Sequence, residues 1–227
     1  MEDGDGTAAD AMPEPREGDR GGIEKGPRDV IRERENPDLM TPPRTDSGTM
    51  PNLRFSFADA HMRLEAGGWT REITVLELPI ATTLSGVQMG LNAGNPSGVR
   101  EMHWHSEAEW AYMLNGVARI TAIDPQGRNF VDDVGVGDLW YFPAGWPHSI
   151  QAHDAGCEFL LVFDDGGFSE NSTFLLTDWF EHTPTSVLAK NFGMPESALA
   201  EVPPHGLYMF LAPAPGALSD DEVPSPA

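Results

Sequence analysis

The stretch REMHWHSEAEW, residues 100–110, gathers the groups in this sequence best suited to chemistry. His103 and His105 stand two apart in a run that reads as a strand, so both project from one face while Trp104 points the other way. Glu109 follows after Ser106-Glu107-Ala108 and can return a carboxylate to the same place. A further histidine, His148, closes PAGWPH, where Pro143, Gly145 and Pro147 shape the approach to another strand. Each of these side chains is costly to bury unless something pairs with it. An isolated H-x-H would more simply be two inward polar residues satisfied by hydrogen bonds. Joined by Glu109 and His148, the set of three imidazoles and one carboxylate points to a divalent first-row metal such as Mn, Fe, Ni or Zn. Four protein ligands on an octahedral ion leave two positions for substrate or oxygen.

The elements that must position these residues read as short strands. From Arg71 onward, REITVLELP, SGVQMGL, VREMHWH, EWAYMLNG, VARITAID, DLWYFPAG, HSIQA and CEFLLVF are separated by the breakers NAGNPSG, NG, DPQG, DVGVGD, AGWP and DDGG. Many short strands at regular spacing predict an all-β barrel or double-sheet jelly roll. After Thr173 the period changes. TDWFEHT and PTSVLAKNFG read as helices, the second with Thr183 as N-cap, Pro184 at the first helical position and Gly193 as its stop. PESALAEV reads as a short third helix.

The predicted organisation is a Pro/Gly-rich acidic leader over residues 1–50, a domain with its following helices over 51–193, a short helical extension over 194–211 and a loose linker or tail over 212–227. The formal net charge of -22 excludes nucleic acid as an expected partner, because phosphate binding needs clustered Lys and Arg. It also disfavours anionic membranes, and no apolar run is long enough to cross a bilayer. The start, MEDGDGTAADAMPEPREGD, has neither a basic head nor an apolar segment, so the expected location is the cytoplasm. The single cysteine, Cys157, lies in CEFLLVF and reads as a buried inert thiol. His61, His153, His182 and His205 read as surface or capping residues, and the tryptophans 104, 110, 140 and 146 as core or subunit packing.

Two longer motifs carry a resemblance. GVREMHWHSEAEWAYMLNG resembles the first cupin motif, closing at Gly116, and GDLWYFPAGWPH resembles the second, from Gly137 to His148. Ser97 and Ala152 stand where those motifs place a glycine and an asparagine, both turn or packing positions. RFSF, GGWTREITV, EAEWAYML, PHSIQ, CEFLLVFDDG and FSENSTFLLTDW extend the likeness to the N-terminal cupin of oxalate decarboxylases, from about residue 51 to about residue 193.

That resemblance implies a cupin-type double-stranded β-helix, with one Mn2+ per cupin on His103, His105, Glu109 and His148. It implies conversion of oxalate to formate and carbon dioxide, with O2 as co-catalyst. Ser169, Glu170, Asn171, Ser172 and Thr173 match the lid of the decarboxylase site, with Glu170 as its acid/base. Arg100 matches the arginine that binds the oxalate carboxylate, although strict alternation back from His103 puts Glu101 inward and Arg100 outward unless a bulge resets the register. An oxalate oxidase making hydrogen peroxide and a non-catalytic metal-binding or storage cupin are the alternatives. The resembling decarboxylases carry two cupins in tandem. A chain with one is expected to form a homo-oligomer or to belong with a second cupin half.

Overall fold

The computed structural model describes residues 53–203 and 205–224; the expected leader over residues 1–50 lies outside them. Two long antiparallel strands form the spine, β5 (Glu109–Ile123) and β8 (His148–Phe163). Along the first part of β5, Glu109, Ala111 and Met113 are buried while Trp110, Tyr112 and Leu114 are exposed, the period-two signature of a strand with one face on a core. Each strand bends once. The bends meet at Gly116 (φ 75°) and Gly156 (φ 73°), where a Cβ on Gly116 would lie 2.0 Å from the Gly156 carbonyl oxygen.

This geometry corrects two expected breaks. The NG at residues 115–116 is a bulge inside β5 rather than a hairpin turn, since the pairing with β8 shifts register at Met113/Asn115 and Gly116/Ala118 and continues. HSIQA and CEFLLVF are likewise one strand, although residues 153–156 have no partner on β5; Cys157 pairs Gly116, Ala152 pairs Ala118, and Gly156 takes its positive φ at that interruption.

The other strands hang on this spine. β1 (Met62–Glu65) and β2 (Gly68–Ile73) form a hairpin, β2 pairs β3 (Ser85–Leu91), and β3 pairs the second half of β8. β4 (Ser97–Trp104) pairs the first part of β8, while β6 (Asn129–Gly135) and β7 (Leu139–Phe142) both pair β5. β9 (Phe174–Leu175) and β10 (Met209–Ala212) pair β4. The Gly67 amide donates to the Met209 carbonyl (3.2 Å), which brings the β10 edge back to the β1–β2 hairpin and curls the ten-stranded sheet on itself. Val87, Met89, Met113, Ile120, Trp140, Phe142, Ile150, Phe159, Leu161 and Phe163 fill the interior.

The helices differ in detail from the expectation. α1 (Leu176–Glu181) and α2 (Thr185–Phe192) lie where TDWFEHT and PTSVLAKNFG predicted them, and Gly193 (φ 64°) ends α2. Pro184 rather than Thr183 is the N-cap, because its ψ of 131° keeps it extended and the helix starts one residue later. PESALAEV makes only a 3-10 turn at Glu196–Leu199.

Residues 194–211, expected as a helical extension, also hold the start of β10, whose apolar Met209 is buried against the core. The tail beyond, expected to be loose, is docked over its described part. Arg119 on β5 is buried and takes Asp133 and Asp221 as partners, Gln151 donates to the Pro213 carbonyl, and the Ala214 amide donates to Asn95 Oδ1. A buried guanidinium needs carboxylates, and the acidic tail supplies one of them. Among the described residues, no helix is long and apolar enough to cross a membrane.

Candidate metal centre

The four predicted ligands converge. His103 comes from β4, His105 from the residue after it, Glu109 from the first position of β5 and His148 from the first position of β8. One ligand atom from each lies within 4.8 Å of the others, and all four side chains are buried.

The imidazoles are held by a common device. His103 Nδ1 lies 2.6 Å from the Glu101 carbonyl, His105 Nδ1 2.7 Å from the Glu107 carbonyl and His148 Nδ1 2.8 Å from the Trp146 carbonyl. A carbonyl only accepts, so each Nδ1 carries the proton and each Nε2 presents a lone pair to the centre. Phe142 stacks on His148 with centroids 4.0 Å apart, and Phe163 meets His105 edge-on at 5.2 Å.

This tautomer assignment makes the interior a set of acceptors facing one another. His105 Nε2 lies 3.2 Å and His148 Nε2 3.5 Å from Glu109 Oε2, and His148 Nε2 is buried with no hydrogen-bond partner. Converging lone pairs without donors are unfavourable in a dry interior and become favourable around a cation. The donor set therefore fits a metal ion.

Electrostatics agree. Burial first, and then the nearby charge of Arg100, hold His103 well below the usual imidazole range, so it is neutral and free to ligate. Burial raises the Glu109 carboxyl, while positive partners on its His105 and His148 side lower it, to about 2 when those rings donate from Nε2; with the protons on Nδ1, a bound cation would fill that place. Glu109 is accordingly an anion, and Trp140 Nε1 donates to its other oxygen at 3.4 Å.

Arg100 lies inside, at 3% exposure, against the strict-alternation expectation. Arg100 pairs Ile150 and His103 pairs His148, so three steps on β4 match two on β8. One extra residue resets the register, and Arg100 and His103 share the interior. Arg100 Nη1 donates to the Tyr208 carbonyl (3.2 Å), and its guanidinium carbon sits 3.8 Å from the Tyr208 ring centroid.

Glu101 is turned the other way and is also buried. Its carboxylate accepts from the Thr177 amide and hydroxyl and from the Leu207 and Tyr208 amides. Tyr208 has a φ of 58°, unusual for a residue with a side chain, and these bonds fix it there. Glu101→Ala should cost about 3 kcal/mol of stability, since four donors lose one buried acceptor. A thermal melt against the parent chain measures it, and an unchanged midpoint would show that water replaces the carboxylate.

The segment Ser169–Thr173 covers the centre. Residues 170–172 form a 3-10 turn whose Ser169 side chain accepts from the Asn171 amide. Glu170 and Thr173 are buried and line, with Arg100, His103, His105, Glu109, Phe163 and Phe168, a cavity of about 10 Å³. Phe163 and Phe168 stack with centroids 3.6 Å apart as part of its wall. Ser169, Asn171 and Ser172 do not line the cavity.

Four contributors were not singled out from sequence as site residues. Thr70 donates to Glu170 Oε1 at 2.6 Å, Trp140 donates to Glu109, Phe168 packs beside His105, and Tyr208 supports Arg100. Only Trp140 carried a signal, as one of the tryptophans clustered around the histidine motifs.

Cys157 is buried, and burial lifts its thiol to about 12, which makes it inert as expected. His182 caps α1 through the Asp178 carbonyl and His153 pairs with Asp133.

Comparison with known proteins agrees with this geometry. The Cupin family model matches residues 57–198. The oxalate decarboxylase OxdC of Bacillus subtilis is 56% identical over 215 residues, covering 95% of this chain and 55% of its own length. An oxalate decarboxylase of Arthroderma benhamiae is 33% identical over 198 residues, covering 77% of this chain and 46% of its own. The crystal structure of the Lactobacillus farciminis oxalate decarboxylase formate complex superposes with a TM-score of 0.76 at 57% identity, covering 81% of this chain and 54% of that one. The chain thus spans about half the length of the curated relatives it matches. With the match running from the 3-10 turn before β1 into the turns after α2, and with the histidines and glutamate of both motifs meeting inside the curled sheet, this chain belongs to the cupin family.

Proposed function

We propose that this chain decarboxylates oxalate to formate and carbon dioxide, using Mn2+ on His103, His105, Glu109 and His148 and O2 as co-catalyst. The observation that carries the reading is Glu170, a buried carboxyl that lines the same small cavity as Arg100 and three of the four ligands, His103, His105 and Glu109. The names of the relatives, oxalate decarboxylases from three organisms, support it.

When bound, manganese with O2 supplies the one-electron oxidation that weakens the oxalate carbon–carbon bond. The chain's own residues do the rest. Arg100 offers a planar guanidinium, backed by the Tyr208 ring, to an oxalate carboxylate. Glu170 accepts the substrate proton and later gives one to the carbon that departs as formate. Thr70 orients the Glu170 carboxyl through its hydroxyl. Phe163 and Phe168 keep water off the reacting carbon, which favours protonation over oxidation. At about 10 Å³ the cavity takes one water-sized group, so admission of oxalate requires the Ser169–Thr173 lid to lift. Its hydrogen bonds with the barrel, Thr70 to Glu170, the Glu170 amide to Glu72 and Arg63 to Asn171, are few enough to break and re-form.

The chain's assembly with itself is part of the proposal. Met102, Phe130, Phe174 and Trp179 are each at least half exposed on the outer wall, and apolar surface of that kind marks contact sites. Its proposed compartment is the cytoplasm.

Arg100→Ala should lower kcat/KM for oxalate about 10- to 100-fold with metal content unchanged. Steady-state kinetics with metal analysis measures this, and unchanged kinetics would remove Arg100 from the substrate site. The reading as a whole is tested by turnover of manganese-loaded protein in air at mildly acidic pH. Equal formate and carbon dioxide support it. Hydrogen peroxide without formate would assign an oxidase, and bound oxalate with no product a binding cupin.

A further inference from the structure

Glu170 faces two cavities. One is the metal cavity, and the other, of about 30 Å³, is lined by His61, Arg63, Thr70, Glu72, Glu170 and Asn171. That volume admits about two waters, and its lining offers them polar partners throughout. Thr70 and Glu72 stand two apart on β2, and both engage the lid. Thr70 donates to the Glu170 carboxyl at 2.6 Å, and the Glu170 amide donates to Glu72 Oε2 at 3.3 Å. His61 is exposed at the cavity's rim. Glu170 is therefore a partition between the reacting centre and a small polar vestibule that holds a second carboxyl.

Oxalate that enters as the dianion brings no proton for Glu170 to accept, so after each such turnover the carboxyl must be recharged from elsewhere, and the closed metal cavity has no room for bulk water. The vestibule has. Resting on the decarboxylase reading of Glu170, we propose that Glu72 is the outer member of a two-carboxyl relay that returns protons from solvent to Glu170 through the His61-lined cavity. The balance is simple. Glu170 loses its proton to the formate carbon and becomes a carboxylate. The Glu72 carboxyl passes its proton to Glu170 across a vestibule water, and the Glu72 carboxylate takes another from solvent.

The surroundings of Glu72 suit the role. Glu170 and Glu77 face it with negative charge, Arg63 with positive charge and His61 from the rim. Glu77 is already engaged by the Thr74 amide and hydroxyl. Burial first, and then the Glu170 charge, lift the Glu72 carboxyl to about 7, against the pull of Arg63. It thus holds a proton at mildly acidic pH. Because this value lies above that of an unfolded glutamate, the folded chain binds more protons between about pH 4.5 and 7, and Glu72 makes stability fall as pH rises through that window.

The test compares manganese-loaded wild type, Glu72→Gln and Glu72→Asp. Glu72→Gln should lower kcat for formate about tenfold, leave KM and metal content in place, and remove the limb of the pH profile near neutrality. Glu72→Asp should restore part of the rate. Infrared difference spectra of wild type against Glu72→Gln should show a protonated carboxyl that titrates near neutral pH, and melts across pH should show a flatter stability curve for the variant. Wild-type kcat and pH profile in Glu72→Gln would overturn the relay. So would a Glu72 carboxylate ionised throughout the acidic range in wild type, a result that stands even if the glutamine variant fails to fold. Absence of formate from wild type itself would instead sink the decarboxylase reading. Formate from wild type with no effect of the variant sinks the relay alone.

Discussion

Replacing Glu170 with alanine should cut formate production about 100- to 10,000-fold while the chain keeps its metal. The size of the effect follows from position. Glu170 supplies the carboxyl on the lid side of a cavity whose other titratable members are His103, His105, Glu109 and Arg100. Among them Glu109 is already an anion and the imidazole Nδ1 protons are tied to backbone carbonyls, so no ligand offers a spare acid. The variant separates chemistry from architecture, because Glu170 does not belong to the convergent ligand set. Quantifying formate, peroxide and metal on the same preparation gives the answer. Loss of formate with a rise in peroxide would mean that the lid carboxyl decides between protonation and oxidation. Loss of metal together with formate would make Glu170 a structural residue and remove it from the mechanism.

Glu109→Gln should weaken manganese binding by more than about 100-fold, a larger effect than removal of an outer-shell partner. The substitution keeps the shape and removes the one negative charge from the donor set. It also brings an amide N–H2 toward two imidazole lone pairs, His105 Nε2 at 3.2 Å and His148 Nε2 at 3.5 Å from the present oxygen. Those donors satisfy the imidazoles in the absence of a cation, so the site should become a stable hydrogen-bonded core that no longer needs an ion. Metal analysis after loading and desalting measures the loss. A thermal melt should show that the metal-free variant is no less stable than the metal-free parent. Full metal occupancy in Glu109→Gln would show that the three histidines suffice.

Much of this centre was legible in the sequence because each ligand sits at the edge of a strong local pattern. His103 and His105 share a face by strand periodicity, and Pro143, Gly145 and Pro147 announce the turn that delivers His148. The pattern failed where one residue too many enters a ladder. Nothing local in VREMHWH marks the bulge that turns Arg100 inward; it exists because β8 pairs both Arg100 and His103 on one side while β10 pairs Arg100 and β9 pairs His103 on the other. Gly116 and Gly156 misled for a related reason. Asn115-Gly116 reads as a turn in isolation and Gly156 splits two apolar runs, but the close approach of the two glycines keeps β5 and β8 in one sheet, a contact between distant positions. Tyr208 and the acidic tail were unreadable because their roles depend on buried partners, Glu101 and Arg119, whose need for hydrogen bonds or countercharge appears only after folding. Thr70 and Glu72 were hidden in a strand that looked ordinary.

The central claim is that the metal cavity and the lid carboxyl act as one centre on oxalate. Manganese-loaded protein turning over 13C-oxalate in D2O, followed by NMR, tests it most directly. The account predicts one formate for each carbon dioxide, with the formate hydrogen present as deuterium, because that hydrogen arrives from an exchangeable protein carboxyl. Two carbon dioxides per oxalate with peroxide and no formate would contradict it.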